Sequence, residues 1–456
     1  MAESISTLDK ISSLCKRRGF VIQSSDIYGG FANVYDFGPL GVALKNNIKR
    51  LWIKSVIEQR KDMYQIDGAI FMHPRAWEAS GHTKVFTDPL IDCEKCKRRF
   101  RADQLEGWRL KKDNKTGKWT VLKQGSLTCP VCGGSLIPKV REFNLMMESY
   151  VGAVKDESTK AYLKPESCQN IYLNFMWVKD SMRAKIPFGI AQIGKAFRNE
   201  LTSGQFIFRL REFEQMDIEY FVHPKEAERI YEEWKKERFY WYEKKLGIKK
   251  EHLRFRQHEK EELIFYAKDA WDIEYNFPFG WKELEGVHNR GDYDLKQHSK
   301  FSGKKLTYFD SERNEEYTPY IIECSGGVER TFLVLMFEFY SEEEVEDVNG
   351  KKYIRVVLRF PKEIAPVKYA VFPLLRSERL VEEAKKIYEE IRKIEPACVY
   401  DEVGSIGRRY RRQDEIGTPV CLTIDHQTLE DGTFTIRDRD TMKQERISLD
   451  SLLSRL

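Results

Sequence analysis

Apolar residues recur at helical spacing over 41–60, where Val42, Leu44, Ile48, Leu51, Trp52, Val56 and Ile57 follow a Gly38-Pro39-Leu40 turn. The pattern predicts an amphipathic helix entered through a proline turn. Residues 186–222 read as mostly strand, and 224–246 as a long amphipathic helix that mixes acids, bases and aromatics. Strands return at 271–279 and 317–324. Gly326-Gly327 opens 328–340, apolar nearly all round and so predicted to be a buried helix. Residues 361–366 carry a proline at each end and read as a linker. Beyond it, a strand at 368–372, a helix at 377–394 and strands at 420–424 and 433–437 predict a separate α/β domain. There is no internal repeat or low-complexity tract.

A chain of 456 residues holds two or three domains with full cores. The net charge of +5 is the small remainder of 77 basic and 72 acidic residues, so any nucleic-acid surface must be local. Residues 1–10 lack the basic start and apolar run of a secretory leader, and no stretch approaches the ~18 apolar residues of a membrane span. A cytoplasmic protein without membrane partners is the expectation. Nine cysteines, with two Cys-x-x-Cys pairs, read as a reducing compartment and a metal site, not a disulfide framework. Cys93 and Cys96, with Cys129 and Cys132, form two knuckles able to complete a tetrahedral four-thiolate site, and structural Zn²⁺ is expected there. Four reduced thiols in a mobile insertion are the alternative. Residues 93–140 around them are polar and turn-rich and read as that insertion. Cys15, Cys168, Cys324, Cys398 and Cys421 read as packed side chains.

Chemistry concentrates in Phe197-Arg198-Asn199-Glu200 and Phe208-Arg209-Leu210-Arg211-Glu212-Phe213-Glu214-Gln215, two strand-like segments around a glycine-containing loop at 201–207. On strands, Arg198 and Glu200 share a face, as do Arg209, Arg211, Phe213, Gln215 and Asp217. Met216, Ile218 and Tyr220 then point to a core. Guanidinium forks match phosphate oxygens, so Arg198 and Arg209 suit phosphates. Phe213 offers a flat surface for adenine, and Gln215 and Asp217 lie where a small ammonium would sit. An exposed face of weak salt bridges fits the same residues. Glu323-Cys324-Ser325-Gly326-Gly327-Val328-Glu329-Arg330 adds a strand acid and a hydroxyl on one face, two glycines, and an arginine in the first turn of a helix, a place that favours anions.

Together these segments resemble motifs two and three of the class II aminoacyl-tRNA synthetases. Asp26-Ile27-Tyr28-Gly29-Gly30, Tyr35-Asp36-Phe37-Gly38-Pro39-Leu40-Gly41, Trp77-Glu78-Ala79-Ser80-Gly81-His82, Phe277-Pro278-Phe279-Gly280-Trp281-Lys282-Glu283-Leu284 and Gly404-Ser405-Ile406-Gly407-Arg408-Arg409-Tyr410 resemble the dimeric, single-polypeptide glycyl-tRNA synthetase family over nearly the whole chain. The resemblance implies an α+β protein. A class II antiparallel-sheet core flanked by helices would occupy 1–92 and 141–360, with the zinc-knuckle-like insertion at 93–140. A C-terminal α/β anticodon-binding domain would occupy 361–456. It implies ATP with Mg²⁺, glycine and its tRNA as partners, and a homodimer whose interface includes 35–60, although Leu40, Leu44, Leu51 and Trp52 there suit a monomer core equally.

By the same resemblance, Arg198 meets the α-phosphate and Arg209 the γ-phosphate, and both Arg198 and Arg330 count as catalytic. Glu200 lies beside adenine, which Phe213 and Arg330 sandwich. Glu283 and Glu323 help hold Mg²⁺, and Asn199, Phe208, Leu284 and Gly327 complete the ATP site. Arg101, Glu166, Phe213, Gln215, Asp217, Glu323 and Ser325 surround glycine, the acids facing its ammonium. Three departures stand out. Leu163-Lys164-Pro165-Glu166-Ser167-Cys168-Gln169-Asn170 replaces the family's Leu-Arg-Pro-Glu-Thr-Ala-Gln-Gly, Asp217 replaces a glutamate, and Cys324 replaces a proline. A non-catalytic relative kept for nucleic-acid binding, or an enzyme for alanine or serine, are the competing readings. The retained arginines and the glycine-type segments oppose them.

Arg408-Arg409-Tyr410-Arg411-Arg412 is a basic cluster with an aromatic, suited either to phosphate and base contact or to pairing with Asp414 and Glu415. Lys95, Lys97, Arg98, Arg99, Lys111 and Lys112 make the insertion basic, fit for an acceptor stem or for solvent. His82 and His288 are assigned no chemistry.

Overall fold

The computed structural model describes residues 6–113, 116–201, 205–259, 268–346 and 350–454. At its centre is a seven-stranded sheet in the order Leu253–Gln257, Asp269–Phe277, Gly280–Gly291, Tyr320–Gly327, Glu212–Val222, Phe188–Phe197 and Met63–Gln65. Neighbours run antiparallel except the last pair, which is parallel. Period-two alternation along Glu212–Val222 divides the sheet into two faces. Met216, Ile218 and Tyr220 enter the main core, and Phe213, Gln215 and Asp217 take the other face. Helices Pro39–Ile53, Ala227–Tyr240 and Val328–Phe339 cover the core face. Val328–Phe339 is apolar nearly all round because it lies between the sheet and Pro39–Ile53.

On that covered face, Arg238 forks onto Glu285 at 2.6 and 3.0 Å while Tyr242 donates to the same carboxylate at 2.7 Å. A charge pair this deeply buried persists only with its lone pairs satisfied. A Cβ on Gly326 would stand 3.0 Å from the Tyr242 hydroxyl and 3.1 Å from Glu285 Oε2. The back of the sheet therefore crowds any side chain at 326, while Gly326 also lines the cleft on the other side, where the sequence pointed to ligand approach.

Several expected boundaries move. The central strands end at Phe197 and resume at Glu212, with a single helical turn at Phe206–Phe208. Arg198, Asn199, Glu200, Arg209 and Arg211 thus sit on connecting chain, and strand alternation does not orient them. Part of the predicted loop, 202–204, lies outside the described residues. The helices predicted over 41–60 and 224–246 start at Pro39 and Ala227, and each ends in a wider turn, Lys54–Glu58 and Trp241–Lys245. The hairpin Tyr340–Glu346 with Lys352–Leu358 goes unpredicted, since its first strand is mostly glutamate, although Tyr353, Ile354, Val356 and Val357 mark its second.

In the cysteine-bearing segment, the chain enters on Thr87–Asp92, which pairs with both Arg99–Arg101 and Arg141–Asn144. Ile91, Cys93, Ala102, Trp108, Cys129 and Leu136 form its small core. The C-terminal sheet runs Cys398–Tyr400, Tyr369–Pro373, Val420–Ile424, Thr433–Asp438, Gln444–Ser448, parallel over the first three strands and antiparallel over the rest. Helix Glu378–Ile394 seals it with Leu380, Ala384, Ile387 and Ile391, one stripe at helical spacing. None of the described helices is long and apolar enough to cross a membrane.

Of the apolar residues weighed for an interface, Leu44 and Trp52 are fully buried, and Leu40 and Leu51 pack against the same core. They hold the monomer together. The 408–412 cluster does not pair with Asp414 and Glu415. Arg409 is buried and donates to the carbonyls of Pro373 and Leu374, and Arg412 reaches Asp401 at 3.0 Å. Asp414 is taken by Arg355 and Arg437, and Glu415 by Arg17 and Arg18. Only Arg408 and Arg411 of the cluster remain exposed.

Candidate active site

The open face of the central sheet floors a cleft of about 740 Å³. Glu166, Arg198, Glu200, Phe208, Arg209 and Phe213 line it, as do Gln215, Glu283, Glu323, Ser325, Gly327 and Arg330. Four expected residues do not. Leu284 is buried in the main core, and Asn199 is held by its backbone N–H on the Leu145 carbonyl at 2.8 Å. Arg101 lies between Asp88 at 3.1 Å and Asp103 at 2.7 Å, behind an Asp103 that does line the cleft. Asp217 is 1% exposed and lies beneath Ser325, whose hydroxyl donates to it at 2.5 Å.

The cations sit where connecting chain meets sheet. The Arg198 guanidinium lies 5.3 Å from the ring centres of both Phe86 and Phe213 and spends Nε on the Pro165 carbonyl at 3.0 Å. Arg330, in the first turn of Val328–Phe339, lies 4.7 Å over Phe208 and pairs with Glu283 at 3.2 Å. Arg209 stands 3.7 Å from Glu200. Aromatic faces hold the Arg198 and Arg330 forks by cation–π attraction without consuming their N–H donors.

Two acids line the cleft, Glu323 buried and Glu166 partly so. Glu166 accepts from the Gln169 amide at 2.9 Å and the Cys168 thiol at 3.1 Å, and meets His82 Nε2 at 3.2 Å. All three contacts reach Oε1. Glu323 meets His288 Nδ1 at 3.0 Å and Arg290 Nη1 at 2.8 Å, both on Oε2. Each carboxylate is therefore anchored by one oxygen and keeps the other for a ligand. Burial opposes both charges, but His82 and Arg290 hold Glu166 well below the ordinary carboxylate range, and Arg290 and His288 hold Glu323 at about 2. Asp217 behaves oppositely. Burial, and then repulsion from Glu323 and Glu166, push its pKa up to about 8 against the pull of the Ser325 hydroxyl.

His82, His288 and Arg290 are the functional side chains that sequence reasoning passed over. His82 is buried edge-on to Trp77, with Ser80 at its other nitrogen at 2.8 Å. It comes to Glu166 only through the tertiary fold. His288 and Arg290 did leave a signal, because they are alternate polar residues beside the apolar Val287 on one strand. Cys168, read as packing alone, is buried and also supplies one of the donors to Glu166.

The four knuckle cysteines converge in the insertion. Cys93 and Cys132 sulfurs are 3.6 Å apart, Cys96 and Cys129 sulfurs 3.8 Å, and all four lie within 4.8 Å of one another. Zn–S bonds of about 2.3 Å in a tetrahedron separate sulfurs by about 3.8 Å, so the set fits one zinc ion. Backbone donors pull Cys93 down to about 6, while Cys96, despite its own backbone donor, is pushed up to about 11 by burial and the neighbouring sulfurs, as expected when crowded thiols cannot all ionise without a cation.

An antiparallel sheet whose open face floors a cleft lined by arginines and carboxylates, followed by a small mixed domain, is the architecture of class II aminoacyl-tRNA synthetases. Residues 150–339 match the family model for the tRNA synthetase class II core domain (G, H, P, S and T), and residues 366–456 match the anticodon binding domain. Among curated proteins, the chain is 50% identical to the glycine–tRNA ligase of Treponema denticola, covering 99% of this chain and 96% of that one. It is 50% identical to that of Acetivibrio thermocellus, covering 98% and 97%. To that of Caldanaerobacter subterraneus subsp. tengcongensis it is 51% identical, again covering 98% and 97%. The chain belongs to the glycine–tRNA ligase family.

Proposed function

We propose that this cleft joins glycine to ATP as glycyl-adenylate and passes the glycyl group to the 3′ end of a glycine tRNA. The observation that carries the reading is one cavity shared by three arginines, Arg198, Arg209 and Arg330, and by Glu166, Glu323 and Ser325. Arg198 takes the α-phosphate, Arg209 the γ-phosphate, and adenine enters between Phe213 and Arg330. The glycine ammonium sits between the free oxygens of Glu166 and Glu323, with Ser325 below. Asp217 acts from under Ser325, ionising as the ammonium arrives. Glu283 and Glu323 would hold Mg²⁺, which when bound neutralises phosphate charge.

In the first step a glycine carboxylate oxygen attacks the α-phosphorus, and pyrophosphate leaves with the electron pair. No protein nucleophile is needed. The walls hold two anions at attacking distance, and the Arg198 fork meets the charge that grows on the α-phosphate oxygens. The ribose hydroxyl of the tRNA then attacks the glycyl carbonyl and AMP leaves. Selectivity comes from space. A Cβ on the substrate would meet buried side chains that are themselves tied down, and a steric wall rejects a larger substrate more strongly than a pocket rejects a smaller one.

We take 1–92 with 141–360 as the catalytic core, 93–140 as the insertion and 361–456 as the anticodon-binding domain, with the seven-stranded sheet inside the first and the five-stranded sheet inside the last, while the strand Thr87–Asp92 ties the insertion to the core by pairing with both Arg99–Arg101 and Arg141–Asn144. The cysteine set holds structural Zn²⁺. Arg408 and Arg411 face solvent on the C-terminal domain and suit tRNA phosphate. A homodimer is supported by exposed Ile27 and Tyr28 on the 24–34 loop, 88% and 86% accessible, and a cytoplasmic location by the reduced thiols. The test is ATP–pyrophosphate exchange with glycine, alanine or serine. Exchange with glycine alone supports the reading, and equal exchange with alanine or serine, or none with glycine, overturns it.

A further inference from the structure

We infer that His258, Asp272 and His288 form a second metal site, separate from the four cysteines, for a borderline divalent transition ion of the zinc class. Three adjacent strands bring them together. Asp269–Phe277 pairs with Leu253–Gln257 on one side and Gly280–Gly291 on the other, so His258, which follows the first strand, Asp272 and His288 come out on one face. One donor atom from each lies within 4.8 Å of the others.

His288 is prepared as a ligand. Its Nδ1 bonds Glu323 at 3.0 Å, which orients the ring and leaves Nε2 as the ring nitrogen available to an ion. That Nε2 is buried and has no hydrogen-bond partner. A buried ring nitrogen without a partner is costly, and a histidine oriented by a carboxylate through its other nitrogen is the usual arrangement around a bound metal. The space it faces is open because residue 286 is glycine. A Cβ there would stand 2.9 Å from His288 Nε2 and 3.8 Å from Asp272 Oδ1. Gly286 and His288 both line the cleft, so an ion has a path in.

His258 Nε2 meets Asp272 Oδ2 at 2.8 Å. The ion takes the place of the proton between them, which leaves to solvent. Arg256 also approaches Asp272 Oδ2, at 3.6 Å, from a side chain 35% exposed, and it swings outward on a long flexible arm. Two imidazoles and one carboxylate suit zinc, cobalt or nickel rather than magnesium, and such a set keeps a coordination position open toward the cleft.

Cobalt(II) distinguishes this site from the cysteines by colour. The full chain as purified, freed of loosely held metal by gel filtration with its cysteine site left loaded, is titrated with Co²⁺ alone and followed from the near ultraviolet to the visible. The inference expects one equivalent per chain with visible bands but no thiolate charge-transfer absorption, in addition to any thiolate-bound equivalent. His288→Gln and His258→Gln should each lose that thiolate-free equivalent while near-ultraviolet circular dichroism stays that of the folded protein. A wild-type chain taking up only thiolate-bound cobalt, or either folded variant keeping the thiolate-free equivalent, overturns it.

Discussion

Arginines beside aromatic rings occur at both ends of this molecule, and they do opposite work. In the cleft, Arg198 rests between Phe86 and Phe213 with a single hydrogen bond through Nε, among the described residues. In the C-terminal domain, Arg437 stacks on Tyr410 but is bidentate to Asp414, which also binds Arg355, and Arg409 is spent on carbonyls. The first arrangement leaves donors for a ligand. The second uses them to pin strand Thr433–Asp438 to helix Ile406–Ile416 and to the hairpin that precedes the domain. Arginine–aromatic composition alone does not distinguish a site from a scaffold, whereas the number of unspent donors does.

Substitution should separate the two directly. Arg198→Ala should lower glycine-dependent exchange by about 10²–10³-fold, because a donor aimed at developing charge is lost. Its melting temperature should stay near wild type. Asp414→Ala should do the reverse. It leaves buried Arg437 without its carboxylate, takes one of two carboxylates from buried Arg355, and should destabilise the fold by about 3–5 kcal/mol in denaturant melts, with exchange intact while the protein is folded. If Arg198→Ala melted early or Asp414→Ala stayed stable, the contrast would collapse.

A smaller effect sharpens the picture within the cleft. His82 holds Glu166 by one oxygen, so His82→Ala should raise KM for glycine by roughly 10- to 100-fold and leave KM for ATP nearly unchanged. His82→Gln, which can still donate, should recover much of the loss. Equal changes for both substrates would show general damage instead of positioning.

The smallest effect is on pH. Asp217 is neutral in the free protein below about 8, and in the proposed reading its charged form attracts the ammonium from beneath Ser325. Glycine affinity should therefore rise as pH rises toward 8, with proton release on binding. The stability sign is opposite. A raised carboxyl pKa stabilises the fold fully below the ordinary carboxylate range, and that contribution is gone above about 8. Asp217→Asn should flatten both dependences in calorimetric titration, and an unchanged slope would remove Asp217 from the account.

Much of this was legible from periodicity. Alternation placed Phe213, Gln215 and Asp217 on one face and Glu323 with Ser325 on the next strand because those segments really are strands. The same rule brought Arg198, Glu200 and Arg209 to the cleft for a reason that does not hold, since the strands stop one residue before Arg198 and resume one residue after Arg211, and Arg211 does not line the cleft. It also set Asp217 in the pocket, when a neighbouring strand puts Ser325 above it. His82 and the partners of the C-terminal arginines stayed hidden for a different reason. His82 and Glu166, or Arg355 and Asp414, are far apart in sequence, and no local pattern records such a meeting.

The central claim is that one cleft grips the nucleotide with arginines and the amino acid with anchored carboxylates. Calorimetric binding of a non-hydrolysable glycyl-adenylate analogue, beside ATP alone, tests it on wild type, Arg198→Ala and Glu166→Gln. Both substitutions should weaken the analogue by about 100-fold or more, while ATP alone responds to Arg198→Ala and not to Glu166→Gln. Unchanged analogue binding in Glu166→Gln, or equal loss of ATP in both variants, would contradict it.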